Sequence, residues 1–228
     1  MKLIYLGHST FLLSENNVNV VIDPFLSGNP QRENLDFQTK IDYILVSHGH
    51  PDHIGDTVSL AKRYGSKVIS IFEVVNFLNT KGIQDAIPMN VGGKLNLEFG
   101  FVKMVKAVHS SSIIDSGNSF YGGIAAGFVI NFYDKIIYFA GDTALTYDMK
   151  IIGDMYDVDV ALLPIGGHFT MDADEALFAV DFIKPNVVIP MHYNTWPLIS
   201  ADAENFINRC KEKGVKGVKL NVNDSFEL

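Results

Sequence analysis

The chain has a single cysteine, Cys210, and a single tryptophan, Trp196. One thiol cannot close an intrachain disulfide, so a bridge-stapled secreted fold is excluded and a reducing, cytoplasmic compartment fits. Cys210 sits in "AENFINRCKEKG", an amphipathic pattern that predicts a helix with the thiol packed as a small apolar group. Positive charge is also scarce. Lys and Arg number 18 against 26 Asp and Glu, for a formal net charge of −8, and the basic residues are scattered singly. Polyanions are bound by clustered Lys and Arg, so neither nucleic acid nor an anionic membrane is an expected partner. No apolar run approaches the roughly 20 residues of a spanning helix. "MKLIYLGHSTFLL" is broken by Gly7 and His8 and lacks a small-residue cleavage site, so it reads as strand and turn, not as an export signal. No linker, repeat or low-complexity tract divides the 228 residues, which predicts one domain over residues 1–228.

What the chain does have is short β-rich runs alternating with helical segments, and 47% hydrophobic residues to build a core. "KLIYL", "TFLLS" and "VNVVID" predict an opening strand meander. "DYILVS" is a buried strand that delivers the chain to His48, and "GDTVSLAKRYG" a helix stopped at Gly65. "KVISI" and "EVVNFLNTKG" repeat that alternation. Later, "FVKMVKAV" runs into His109, "KIIYFAG" into Asp142, "VDVALLPIGG" into His168 and "NVVIPM" into His192. An apolar strand followed by a metal-competent side chain recurs five times, at the loop positions where α/β folds site their chemistry.

The densest cluster is "LVSHGHPDH", with His48, His50, Asp52 and His53 in six positions. Residues two apart in extended backbone point to one side, so His48 and His50 can share an ion. Asp52 and His53 follow as the chain turns, and can face a neighbouring one. His109, His192 and Asp142 must join them from afar. That is five imidazoles and two carboxylates, a donor set for two divalent metal ions. Zn2+ is the first expectation, with Mn2+, Fe2+, Co2+ or Ni2+ compatible. Open coordination positions would be filled by water, which two cations would acidify into a bridging hydroxide. Asp52 is placed to take or orient that water's proton and to return one to the leaving group.

With these residues in view the chain resembles the metallo-β-lactamase superfamily. "SHGHPDH" is its signature, and "AVHS", "AGDT" and "MHYN" match the later ligand motifs in order across essentially the whole chain. The resemblance implies an α/β fold, a four-layer αββα sandwich with a dinuclear site at one edge. It implies His48, His50 and His109 on one ion, Asp52, His53 and His192 on the other, and Asp142 bridging. "VIDPF" matches the first motif of the superfamily and implies that Asp23 orients a ligand from behind. "GHSTFLL", "IDPFLSGNP", "LPIGGHFTMDADEA" and "IPMHYNTWP" look like a branch of small metal-dependent hydrolases related to L-ascorbate-6-phosphate lactonase. That branch suggests an acidic residue after "LPIG", where this chain has Gly167 and His168.

The expected activity is therefore hydrolysis of an ester, lactone or phosphodiester of a small molecule. His8, His168, Asn194 and Thr195 are candidates to touch substrate or steady a ligand, while Trp196, beside Pro197, reads as packing. Di-iron oxidoreductases of the superfamily resemble H-x-E-x-D-H, with a carboxylate where this chain has His50. The alternatives are a ribonuclease Z-like phosphodiesterase, for which an RNA-gripping arm and a basic surface are missing, and a non-catalytic metal- or ligand-binding module. Substrate choice is assigned to loops around residues 24–40, 110–122 and 166–172. "HSSSIIDSGNSFYGG", rich in Ser and Gly, reads as a mobile or substrate-touching loop or as plain connection. Assembly into homo-oligomers is expected on general grounds for cytoplasmic enzymes.

Overall fold

The computed structural model describes residues 1–31 and 39–228. In chain order the elements begin with strands β1 (Lys2–Tyr5), β2 (Phe11–Glu15), β3 (Val18–Ile22) and β4 (Tyr43–Val46). Helices α1 (Pro51–Ile54) and α2 (Thr57–Tyr64), strand β5 (Lys67–Ile71) and helix α3 (Phe72–Thr80) follow. Then come β6 (Ala86–Met89), β7 (Lys94–Leu97), β8 (Gly100–Lys106), β9 (Ser112–Asp115) and β10 (Asn118–Tyr121). The chain continues through β11 (Ala126–Phe132), β12 (Lys135–Phe139), α4 (Asp148–Met155), β13 (Val160–Pro164) and α5 (Ala173–Ile183). It closes with β14 (Val187–Met191), α6 (Ala203–Glu212), β15 (Lys216–Gly217) and β16 (Ser225–Glu227).

Two seven-stranded sheets carry the architecture, in the orders β16-β1-β2-β3-β4-β5-β6 and β15-β14-β13-β12-β11-β8-β7. Each sheet is half antiparallel and half parallel. β1, β2 and β3 form the predicted meander, and β3 through β6 run parallel. In the other sheet β7, β8, β11 and β12 alternate, and β12 through β15 run parallel. Parallel strands need covering on both faces. α2 and α3 pack on β4, β5 and β6, while α5 and α6 pack on β13, β14 and β15. Between the sheets lies the core, where Phe11 of β2 meets Phe139 of β12 at 6.5 Å between ring centroids. Fully buried Phe11, Phe128, Phe132 and Phe139 each stabilise the sandwich by about 1.5–3 kcal/mol of apolar burial. The result is the αββα sandwich that the motifs implied.

This topology answers a question the sequence leaves open, whether the ligand-ended strands share an edge. β1 and β3 are both antiparallel to β2, and β4 is parallel to β3. β8 and β12 are both antiparallel to β11, and β13 and β14 run parallel to β12. Within each sheet these strands therefore run the same way, and the residues that follow their C-terminal ends emerge at one edge.

One expectation needs correction. Residues 109–123 are not a plain loop. Ser112–Asp115 and Asn118–Tyr121 pair as an antiparallel hairpin of their own. It is stapled to the first ligand loop, since Ser111 Oγ accepts from Gly49 N at 3.0 Å and donates to the carbonyl of Gly122 at 2.9 Å. Of the loop around residues 24–40, positions 32–38 lie outside the described residues. No helix of the described residues is long and apolar enough to cross a membrane.

Candidate metal centre

β4 ends at Val46, and Ser47 and His48 follow it into the meeting edge of the two sheets. Pro51 opens α1 at a position where a missing N–H costs nothing, so Asp52 and His53 sit on that helix's first turn. β8 delivers His109, β12 delivers Asp142 and β14 delivers His192. The turn after β1 delivers His8. His192 N–H donates to the carbonyl of His8 at 2.8 Å and ties the two sheets together at the site. His8, Asp23 and His192 all hold positive φ, at 56°, 45° and 52°. A non-glycine residue in that region costs on the order of 1–3 kcal/mol, and such strain gathers where side chains must be aimed.

The predicted ligands converge in two groups. His48, His50 and His109 each offer a ring nitrogen within 4.8 Å of the others, and so do His53, His192 and His8 together with a carboxylate oxygen of Asp52. In the first group His50 Nδ1 lies 3.0 Å from His48 Nε2 and 3.3 Å from His109 Nε2. In the second, Asp52 Oδ2 lies 3.8 Å from His53 Nε2 and 3.9 Å from His192 Nε2. Asp142 Oδ2 stands between the groups, 3.0 Å from His192 Nε2, 3.3 Å from His53 Nε2 and 3.6 Å from His109 Nε2.

Asp23 is held behind the ligands. Its Oδ1 accepts from Ser47 N at 2.7 Å, and its Oδ2 accepts from Ser47 Oγ at 2.6 Å and faces His53 Nδ1 at 2.7 Å. Ser47 Oγ in turn lies 2.9 Å from His48 Nδ1. One buried carboxylate thus reaches an imidazole of each group and leaves His48 Nε2 facing His50 and His53 Nε2 facing Asp142 and Asp52. Ser47 is a functional residue that the sequence reading passed over, although it stands beside the first ligand in "SHGH". His8 is fully buried, with Nδ1 at 2.7 Å from Thr195 Oγ1 and Nε2 at 3.1 Å from Asp52 Oδ2. His8 and Thr195 therefore form a brace on Asp52.

Two candidates go elsewhere. His168 is exposed and its ring meets Phe169, so the strand that ends in it supplies no ligand to either group. The amide of Asn194 bonds both backbone groups of Ala201 and holds its own loop. A third shifts its role: Trp196 packs, its ring centroid 5.0 Å from that of His8, yet it also lines the cavity over the ligands.

The electrostatics suit cations. Burial pulls His48 well below the usual histidine range, and lowers His50 and His109. Burial also takes His8 down to about 4, against the pull of Asp52. Imidazoles that are neutral already need expel no proton to become ligands. For His53 burial acts the same way, but Asp142, Asp52 and Asp23 outweigh it and hold the ring well above the usual range. Burial disfavours the Asp52 and Asp142 charges, yet the facing histidines outweigh it and keep both carboxyls well below their usual range. The donor set, neutral imidazole plus carboxylate, is one that zinc, manganese, iron or nickel accepts. Two buried atoms of the cluster that face the other ligands, His53 Nε2 and Asp142 Oδ1, make no hydrogen bond. Buried polar atoms are rarely left so. The residues present fit divalent metal.

The family profile described as "Beta-lactamase superfamily domain" matches residues 2–192. The chain belongs to the β-lactamase superfamily. It is similar over its whole length to a UPF0173 metal-dependent hydrolase of Nanoarchaeum equitans, with 45% identity covering all of both chains. A UPF0173 metal-dependent hydrolase of Thermus thermophilus is 46% identical, covering 98% of this chain and 97% of the relative. Among solved structures, Igni18, described as a novel metallo hydrolase of Ignicoccus hospitalis, superposes with a TM-score of 0.90. Its identity is 37%, covering 100% of this chain and 98% of that one.

Proposed function

We propose that this superfamily member is a metal-dependent hydrolase with a dinuclear centre that acts on an ester, lactone or phosphodiester of a small molecule. The observation that carries the reading is Asp142 Oδ2, which lies within 3.6 Å of ring nitrogens from both groups and so stands where one carboxylate can serve two ions. His48, His50 and His109 would hold one ion, and Asp52, His53 and His192 the other. Zn2+ is the first candidate, with Mn2+, Fe2+ or Ni2+ acceptable to the same donors. When bound, two such cations supply Lewis acidity and a water of lowered pKa.

The chain's own residues do the rest. Asp52 is ionised and only partly covered, so it can accept a proton from water at the cavity floor and return it to the departing oxygen. His8 and Thr195 restrain the carboxylate while it does so. Asp23 and Ser47 keep His48 and His53 in the ligand-competent tautomer. Net hydrolysis places the water's oxygen on the acyl or phosphoryl centre and a proton on the leaving alcohol. A cytoplasmic setting, with no nucleic-acid or membrane partner, is part of the same proposal. It is supported by the lone buried thiol and the acidic surface balance. The deciding experiment is elemental mass spectrometry of natively purified protein without added metal. The expected result is about two transition-metal ions per chain, with activity lost on chelation and regained on reloading. Full turnover at one ion per chain would overturn the dinuclear reading.

A further inference from the structure

Next to the ligand groups lies a cavity of about 470 Å³, within the usual size range for small-molecule sites. Its floor is His50, Asp52, His109, Asp142 and His192, and its walls are Phe25, Pro51, Phe169 and Trp196. Trp196 and Phe25 face each other at 6.1 Å between centroids, and both stand against His8. Phe169 keeps 51% of its surface exposed, and among the described residues its ring contact is with His168. Ser110 is the one polar wall residue that does not belong to the ligand groups. Among the described lining residues there is no Lys or Arg. The basic side chains of α6, Arg209 and Lys213, are spent on Asp174 and Asp181.

An apolar group in these walls needs only the rings already present. Resting on the hydrolase reading above, we propose that the site selects an ester or lactone whose acyl part carries an aromatic or medium-length alkyl group. That group would be held among Phe25, Phe169 and Trp196 while the carbonyl meets the ligand floor.

The test is a matched series hydrolysed by the metal-loaded protein: ethyl phenylacetate, ethyl hexanoate, ethyl acetate and monoethyl succinate, followed by proton release. The expected kcat/KM is at least about tenfold higher for the phenylacetyl and hexanoyl esters than for acetate, and lowest for the anionic succinate. Phe169→Ala should collapse the phenylacetyl preference roughly tenfold, mainly through KM, and Phe169→Leu should restore part of it. Because Trp196 is the only tryptophan, its fluorescence reports on the cavity without turnover. Phenylacetamide should shift the emission saturably in the loaded protein, and acetamide should not. Turnover that favours monoethyl succinate, or ignores the acyl group, overturns the proposal and leaves the hydrolase reading standing. Saturable phenylacetamide binding with no ester turned over removes the hydrolase reading and keeps the apolar cavity. Neither turnover nor binding removes both.

Discussion

Replacing Asp23 with asparagine should weaken both ion groups at once, although every bond Asp23 makes is directed away from the cavity. Its Oδ2 receives Ser47 Oγ–H at 2.6 Å and His53 Nδ1–H at 2.7 Å, while Oδ1 receives Ser47 N–H at 2.7 Å. Ser47 Oγ, with its own proton committed to Asp23, is left to accept from His48 Nδ1 at 2.9 Å. Protons are therefore fixed on both Nδ1 atoms, and both Nε2 atoms are left to face the other members of the ligand groups. Asparagine keeps the shape and loses one acceptor. If its oxygen stays on Ser47 N–H, its NH2 points at His53 Nδ1 and selects the tautomer that protonates Nε2, the ligand atom. If the amide flips, its NH2 opposes Ser47 N–H in a place with no solvent, at about 1–3 kcal/mol for the unsatisfied donor. Either arrangement costs about 10–100-fold in metal affinity, or about 1.4–2.7 kcal/mol. Chelator competition measures this, and Ser47→Ala supplies the control, since it breaks the relay to His48 and leaves the His53 bond to Asp23. Ser47→Ala should weaken one ion, Asp23→Asn both. A folded Asp23→Asn protein that binds two ions at unchanged affinity would refute the assignment of tautomers.

Two further outcomes follow from the geometry. Gly141 holds φ of +65°, and a Cβ there would sit 2.5 Å from the carbonyl oxygen of Ala126, so Gly141→Ala should lower stability by at least about 2 kcal/mol and displace Asp142. Urea unfolding and metal content check both halves, and wild-type values for either would contradict the clash. The metal-free protein should be most stable near pH 6.5. His8, brought down to about 4, and His48, also lowered, are protonated first in the unfolded chain, so acidification below 6.5 destabilises the fold. The His8 share is about 3 kcal/mol, complete near pH 4. His53, raised by its carboxylates, contributes stability that is full below 6.5 and lost as the pH climbs through its folded value. Melting temperature against pH, with and without metal, tests this, and a monotonic rise toward pH 9 without metal would be the wrong sign.

The sequence carried the fold's skeleton because its strands are nearly continuous apolar runs. "YILV", "VALLP" and "VVIPM" are buried at every position, as parallel strands between layers must be. The β9–β10 hairpin was illegible for the opposite reason. Asn118–Tyr121 is exposed at every residue, so no alternation marks it. His168 failed on direction. β13 ends like β14, but after Gly166 the chain makes a tight turn in which Gly167 takes φ of +79° and donates to the carbonyl of Met171. That turn leaves His168 at the surface and gives Phe169 to the cavity. A strand end tells where a residue emerges and not where its side chain points. Trp196 was half legible, since Pro197 beside it does open a helical turn, but a ring 5.0 Å from His8 belongs to the site as well.

Charge arithmetic ties the ligand geometry to the number of ions. Asp23, Asp52 and Asp142 bring three carboxylates into a largely buried volume, and without metal the raised His53 is the imidazole best placed to offset them. A single divalent cation held by His48, His50 and His109, with the His53 proton kept, would leave the cluster neutral. Two, with that proton displaced, would leave one net positive charge, which one anionic oxygen from solvent or substrate cancels. Uncompensated charge in a low-dielectric site costs several kcal/mol, and both counts avoid it: one cation with His53 protonated, or two cations with one anionic oxygen. The two-cation count also requires the anionic partner to lie at the ligands, between Asp52 and the imidazoles. The second ion is thus the one whose uptake would have to displace the His53 proton.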